Sequence, residues 1–302
     1  MPEDHAEPRP AQLPLPGGTP GSTVKVHPLR TATMQAMPAF LQRPSGPLAE
    51  LRGLGLHTSK KRWSSIPLPA FLVEHPTAGP ILVDTGMHAA YAKDPAEHMG
   101  ALAARFFDIT MEERTAAPAQ LRERGVDPDD VRLVLMTHLH YDHASGISQF
   151  PNATFVVDRR EWAAATGHLG LLKGYRRQLF DHPYDWRTLD FEAPSVEGYV
   201  TFGRAIDLLG DGSIRLVSTP GHAEGHYSVV LRLLGDRELL LTGDAAYAIQ
   251  SIEEDLVPTF CDDIHDYKRS LGEIRHFREH TGATTICGHD AASWPTLDAL
   301  YA

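Results

Sequence analysis

A chain of 302 residues, 42% hydrophobic and 22% charged, can bury a sizeable core and has the make-up of an ordinary globular protein. Its net charge of -11 argues against nucleic acid or an anionic membrane as a partner, since both need a basic face. No apolar run approaches membrane-spanning length, the start carries no secretory pattern, and Cys261 and Cys287 make no disulfide framework, so a cytoplasmic protein with free thiols is expected.

In chain order, residues 1–22 are rich in Pro, Gly and Glu, with Leu13 and Leu15 almost the only large apolar side chains. They predict a flexible or loosely docked tail ahead of one domain over 23–302. Residues 66–74 and 80–83 read as paired strands joined by the turn 75–79, and the second runs into Asp84-Thr85-Gly86. There Asp84 is either a turn-former or an acceptor that fixes the tautomer of a nearby imidazole. Residues 96–107 carry Met99, Leu102, Phe106 and Phe107 near helical spacing, a stripe that suits a core face or the wall of an apolar pocket. A second helix is expected over 112–124, stopped by Gly125, and 127–130 turns into a strand over 131–137.

That strand ends in His138-Leu139-His140-Tyr141-Asp142-His143. Residues two apart on an extended backbone point the same way, so His138 and His140 can grip one metal ion. Asp142 and His143, where the chain turns, can face a second position close by. Imidazole nitrogen mixed with carboxylate oxygen suits zinc, with iron, cobalt or manganese as alternatives, better than magnesium or calcium.

Beyond it a strand over 152–157 leads to Asp158, a cap for the helix 159–165. Residues 167–205 are irregular and aromatic-rich and could cover the site or sit in an oligomer interface, for which 175–202 is the candidate contact. Strands return at 206–209, 214–218, 227–234 and 238–241, followed by a helix over 265–281 stopped by Gly282 and a last strand over 284–287. The second, fourth and last of these strands matter most for chemistry. They run into Thr219-Pro220-Gly221-His222, Thr242-Gly243-Asp244 and Gly288-His289-Asp290, as the earlier one runs into His138. Strand ends gathered at one sheet rim are where ligand sites of α/β folds sit.

Counted as ligands, His138, His140 and His222 supply three nitrogens to one ion, and Asp142, His143 and His289 a mixed set to another. Asp244 is suited to bridge, because one carboxylate offers an oxygen to each. Two divalent ions so held leave an open position for a shared hydroxide.

These motifs, with Asp84-Thr85-Gly86, resemble the metallo-β-lactamase-fold hydrolases over about residues 24–302. The resemblance implies an α/β fold built as a four-layer αββα sandwich with a dinuclear site on one edge. Within that superfamily the chain is similar to the N-acyl-homoserine lactone lactonases, through Pro80–Met87, the approach 127–130, His138–Ala144, Gly221-His222-x-x-Gly225-His226-x-Ser228 and Asp244-Ala245-Ala246-Tyr247. It implies hydrolytic opening of a lactone ring by attack of the bridging hydroxide. Tyr247 would contact the substrate carbonyl and Asp142 would shuttle the proton. His226 is expected to support the ligands from outside, and Met34, Met37, Phe106 and Phe107 to line an acyl-chain pocket. Against this stand a hydrolase of the same fold acting on another lactone, ester, thioester or phosphotriester, and more remotely a protein that binds its ligand without turnover. A small-molecule lactone or ester is the expected partner.

Overall fold

The structure, a computed structural model, describes residues 5–46, 59–96 and 108–302. Fourteen strands among these residues form two sheets. The first contains β1 (Arg9–Pro10), β2 (Lys25–Ala36), β3 (Ser64–His75), β4 (Gly79–Val83), β5 (Asp108–Thr110), β6 (Leu133–Leu135), β7 (Thr154–Asp158) and β8 (Asp185–Leu189). They lie in the order β1-β8-β7-β6-β4-β3-β2-β5. The second contains β9 (Glu197–Tyr199), β10 (Phe202–Asp207), β11 (Ile214–Ser218), β12 (Tyr227–Arg232), β13 (Glu238–Leu241) and β14 (Thr284–Ile286), ordered β14-β13-β12-β11-β10-β9.

Three apolar layers explain the stacking. Val73, Ile81, Val83, Leu135 and Val156 of the first sheet meet Leu216, Val229, Leu231, Leu239, Leu241 and Ile286 of the second. Residues of opposite parity, such as Leu72, Leu82, Val134 and Phe155, face outward against Leu121, Ile147, Ala165 and Phe180. On the far side Val217, Val230 and Leu240 are covered by Ile252, Tyr267, Leu271, Ile274 and Phe277. Strands covered on both faces have no polar side to show, so β3 reads as a nearly unbroken apolar run. The result is the expected four-layer αββα sandwich.

Several elements differ from expectation for physical reasons. The helix expected over 112–124 is split into a 3₁₀ turn, Glu113–Thr115, and an α-helix, Ala117–Glu123. Pro118 has no N–H to give back along a continuous helix, and its ring clashes with the carbonyl four residues earlier. The chain therefore breaks at Ala116, with ψ 147°, and restarts with Pro118 in the first turn. Residues 6–22 are laid along the sheets rather than hanging free. Ala6 N donates to Asp181, β1 pairs in parallel with β8, Leu15 N donates to Leu208 O, and Thr19 N donates to Asp211. Backbone pairing supplies what the apolar side chains of that segment do not.

The segment 167–205 contains β8, β9 and the start of β10, so it is the crossover between sheets. Tyr175, Phe180, Trp186, Phe191 and Phe202 are each no more than 1% exposed. These five rings fill the chain's own core, so of the aromatic side chains in the 175–202 segment expected to make a homodimer contact Tyr184 and Tyr199 stay part-exposed. The stripe at Met99, Leu102, Phe106 and Phe107 lies outside the described residues. Cys261 and Cys287 are unpaired thiols. No helix among the described residues is long and apolar enough to cross a membrane.

A candidate metal centre at one rim of the sandwich

Strand direction assembles the site. β4, β6 and β7 are parallel neighbours. β13 and β14 are parallel, and β11 points with them because each pairs antiparallel to β12. The segments leaving β4, β6, β11, β13 and β14 carry Asp84, His138–His143, His222, Asp244 and His289. Ligand atoms of three overlapping groups lie within 4.8 Å of one another: His138, His140 and His222; His138, His143 and Asp244; Asp142, His143 and His289. All seven residues proposed from sequence are thus brought together.

Asp244 stands between the two sets. Its Oδ2 is 3.3 Å from His222 Nε2 and 3.8 Å from His138 Nε2, while its Oδ1 is 3.2 Å from both His143 Nε2 and His289 Nε2. Asp142 Oδ2 faces His143 and His289 at 3.7 and 3.6 Å.

The hydrogen bonds behind the rings decide what faces inward. The tautomers follow from that network. His143 Nδ1 lies 2.8 Å from Asp84 Oδ2, and His289 Nδ1 2.8 Å from the Pro67 carbonyl; both acceptors require an N–H there. Thr137 Oγ1 donates to Asp84 Oδ2, so its lone pair is left to accept from His138 Nδ1 at 3.1 Å. His222 Nδ1 lies 3.2 Å from the Tyr247 hydroxyl. A neutral imidazole with its proton on Nδ1 presents a bare lone pair at Nε2.

His138, His143 and His289 thus turn Nε2 inward, and with His222 Nε2 they point at Asp244 and at one another. His138 and His222 Nε2 are 3.2 Å apart, and His140 Nδ1 is 2.8 Å from His222 Nε2. His143 Nε2 and Asp244 Oδ1 are buried without a hydrogen-bond partner. Imidazole nitrogens crowded on one carboxylate in a dry site call for positive charge among them, and the mixed nitrogen and oxygen donor set fits a pair of divalent ions.

The titration directions agree with two unlike ends. Burial, then the neighbouring His143, holds His138 well below the usual imidazole range, and burial does the same to His222. Burial also acts downward on His143 and His289, but Asp244 and the other carboxylates outweigh it and raise both. One end is a cluster of uncharged imidazoles. The other strongly attracts positive charge.

Behind the candidate ligands, Asp84 takes the acceptor's place: besides His143 it accepts from Thr137 N and Thr137 Oγ1, and it holds a φ of 56° to do so. His226 Nε2 accepts from Asp244 N at 3.0 Å, and its Nδ1 side bonds Thr219 Oγ1 at 2.9 Å. That fixes a neutral ring, and burial holds His226 down to about 3. A Cβ on Gly243 would sit 2.6 Å from His226 Nε2, which explains the glycine before Asp244.

Tyr247 is buried against the site, 5.2 Å from the His289 ring by centroids. Phe40, which sequence patterning did not single out, stacks on it at 4.8 Å. Only the fold could bring residue 40 there. Tyr175 packs on His140 at 4.8 Å, and Lys173 reaches both Glu224 and Asp262, tying the segment before Tyr175 to the His222 side. Met37 is half-buried just ahead of the short helix that carries Phe40. Met34 is a correction: it is 3% exposed, packs with Ile66, Leu68 and Tyr91, and lies 3.0 Å from the Tyr141 hydroxyl. It belongs to the core and has no surface to offer a substrate. Phe106 and Phe107 lie outside the described residues.

Comparison with known proteins gives the same reading. The family model described as the metallo-beta-lactamase superfamily matches residues 68–289. An N-acyl homoserine lactonase, AttM, of Azorhizobium caulinodans is 39% identical over 77% of this chain and 85% of its own length. AttM of Agrobacterium fabrum is 37% identical over 76% and 84%. A solved N-acyl homoserine lactone hydrolase, holding the product N-hexanoyl-L-homoserine at its catalytic metal centre, superposes with a TM-score of 0.72 at 22% identity. That match covers 91% of this chain and 97% of the other, a likeness of fold.

Proposed function

We propose that this chain, which belongs to the metallo-beta-lactamase superfamily and within it to the N-acyl homoserine lactonase family, hydrolyses the ester bond of an N-acyl homoserine lactone to the open acyl homoserine. The observation that carries the reading is the convergence of four imidazole Nε2 atoms on the Asp244 carboxylate, with the Tyr247 hydroxyl beside them. His138, His140 and His222 would hold one divalent ion, Asp142, His143 and His289 a second, and Asp244 both. Zinc is the metal proposed, in a single catalytic domain working in the cytoplasm on a small-molecule lactone. When bound, such a pair supplies a water acidic enough to act as nucleophile near neutral pH and polarises the ester.

The chain's own groups do the rest. With its Nε2 given to an ion, His222 would carry its proton on Nδ1 and donate it to the Tyr247 oxygen 3.2 Å away, which leaves the phenol proton free. Burial, then the Asp244 charge, keeps that phenol well above its ordinary value, so it stays a donor. It donates to the carbonyl oxygen as negative charge grows there. The departing ring oxygen must end up protonated. Asp142, nearly buried and facing the mixed set through Oδ2, is the carboxylate assigned to carry that proton. Met37, Phe106 and Phe107, joined by Phe40, are proposed to receive the acyl chain.

A pH-stat assay with a short and a long acyl homoserine lactone tests the reading, since ring opening releases a proton. Metal-dependent acid release from both is expected. A protein that carries two ions yet releases none would be a binder, and the hydrolase reading would fall.

A further inference from the structure

Glu161 is a fully buried carboxylate with both oxygens spent on backbone amides. Oε1 accepts from Leu139 N at 2.8 Å and Oε2 from Gly225 N at 3.2 Å. Leu139 separates His138 from His140, and Gly225 follows His222 by three residues. One side chain therefore clips together the two loops that carry the three-nitrogen set.

Its position follows from topology. β7 is the parallel neighbour of β6, and Asp158 at its end caps the helix Arg159–Thr166, whose first turn carries Glu161. The helix thus begins at the same rim as His138. Gly225 is shaped to the same contact: a Cβ there would lie 2.3 Å from Glu161 N and 2.6 Å from Glu161 Cβ. The second glycine of Gly-His-x-x-Gly-His is required by the approach of this helix. The two loops are also joined where Tyr227 N donates to Thr137 O at 3.2 Å, on the other flank.

We propose that Glu161 is a positioning residue that sets the spacing of His138 and His140 against His222, and so the hold on the ion at the three-nitrogen end alone. The inference rests on the dinuclear reading above. A carboxylate suits the task because two N–H donors need two acceptors. The glutamine of a Glu161→Gln variant would turn an NH₂ toward one of them, leaving a buried donor unpaired at the back of a ligand loop. Burial of an anion here is costly, and the two amides partly offset it.

The test is a chelator titration of wild type and Glu161→Gln, each loaded with cobalt, with ions counted by elemental analysis and the visible spectrum followed. Two release steps are expected for wild type. In Glu161→Gln one step should move to about 10–100-fold lower chelator, the range for losing a partner that orients metal ligands. The other step should stay in place, kcat should fall, and KM should change little. Gly225→Ala, which disturbs the same junction from the other loop, should move the same step and serves if the first variant does not fold. Wild type holding fewer than two ions overturns the dinuclear reading. Wild type holding two, with variant release unchanged or with both steps shifted together, overturns the role of Glu161.

Discussion

The Tyr247 hydroxyl and His222 Nδ1 are 3.2 Å apart, with Tyr247 held flat against Phe40 on its other side. The contact links an imidazole of the three-nitrogen set to the group proposed to meet the substrate carbonyl. Tyr247→Phe should therefore keep its ions and lower kcat with little change in KM. Losing one oxyanion donor costs about 10²–10³-fold in kcat, and the effect here should fall at or below the lower figure because bound ions share the charge. Steady-state kinetics beside a metal count checks this. Full activity with full metal would remove Tyr247 from the reaction.

Removing metal should act on stability as well as activity. Without cations the Nε2 atoms of His138, His143, His222 and His289 crowd the Asp244 carboxylate and each other in a buried site. An ion that binds only the folded chain adds about 2.7 kcal/mol when free metal is at 100 times its Kd. A chelator should abolish lactone hydrolysis and lower the unfolding midpoint, and added zinc should restore both. A midpoint indifferent to chelation would mean that no tightly held ion contributes to folding.

How much of this was readable in the chain depends on the distance over which each cause acts. The candidate ligands were legible because each sits just past an apolar strand, and strand ends of like direction meet at one rim. His143 needs Asp84, 59 residues away, yet Asp84 was visible as an acidic residue at such an end. Phe40 and Glu161 were not: one stacks on Tyr247 and the other reaches Leu139 and Gly225 only through tertiary packing. Met34 misled because a methionine suits an alkyl ligand and a core equally. In the aromatic run over 175–202, five rings serve the core because β8 and the crossover bury them, which composition alone does not show. The N-terminal segment looked disordered by composition because its ordering comes from backbone pairing with β8 and Leu208, which leaves no apolar pattern.

His226 gives a pH dependence whose sign is fixed. Folded, it is held near 3; unfolded, it returns to the ordinary 6.5. Between those values the unfolded chain binds a proton that the native chain does not, so stability rises with pH across the window. The stabilisation is full above about 6.5 and is lost on acidification toward 3, by at most about 1.4 kcal/mol per pH unit. His226→Gln, which keeps an acceptor for Asp244 N, removes this contribution. Denaturant unfolding at about pH 7.5 and about pH 5, either side of the unfolded value, should show a smaller loss in the variant than in wild type. Equal losses would mean that His226 takes up its proton in the native state.

Gly221 is the last test, and it separates backbone fit from ligand chemistry. It precedes His222 with a φ of +126°, and a Cβ there would lie 2.1 Å from Tyr267 N and 2.4 Å from Tyr267 Cα, in the helix Ile264–Thr281. Asp263 N also donates to Gly221 O, and Ser270 Oγ to Pro220 O, so the loop is sewn to that helix. No rotation of a flexible side chain can relieve a clash with backbone. Gly221→Ala should destabilise the fold by more than about 2 kcal/mol, the range of strained backbone positions, and displace His222 by pushing loop and helix apart. Ion loss should follow at the three-nitrogen end although no ligand has been changed. Unfolding measurements beside a metal count check both effects. A variant as stable and as fully loaded as wild type would mean that the loop does not hold this close approach to the helix.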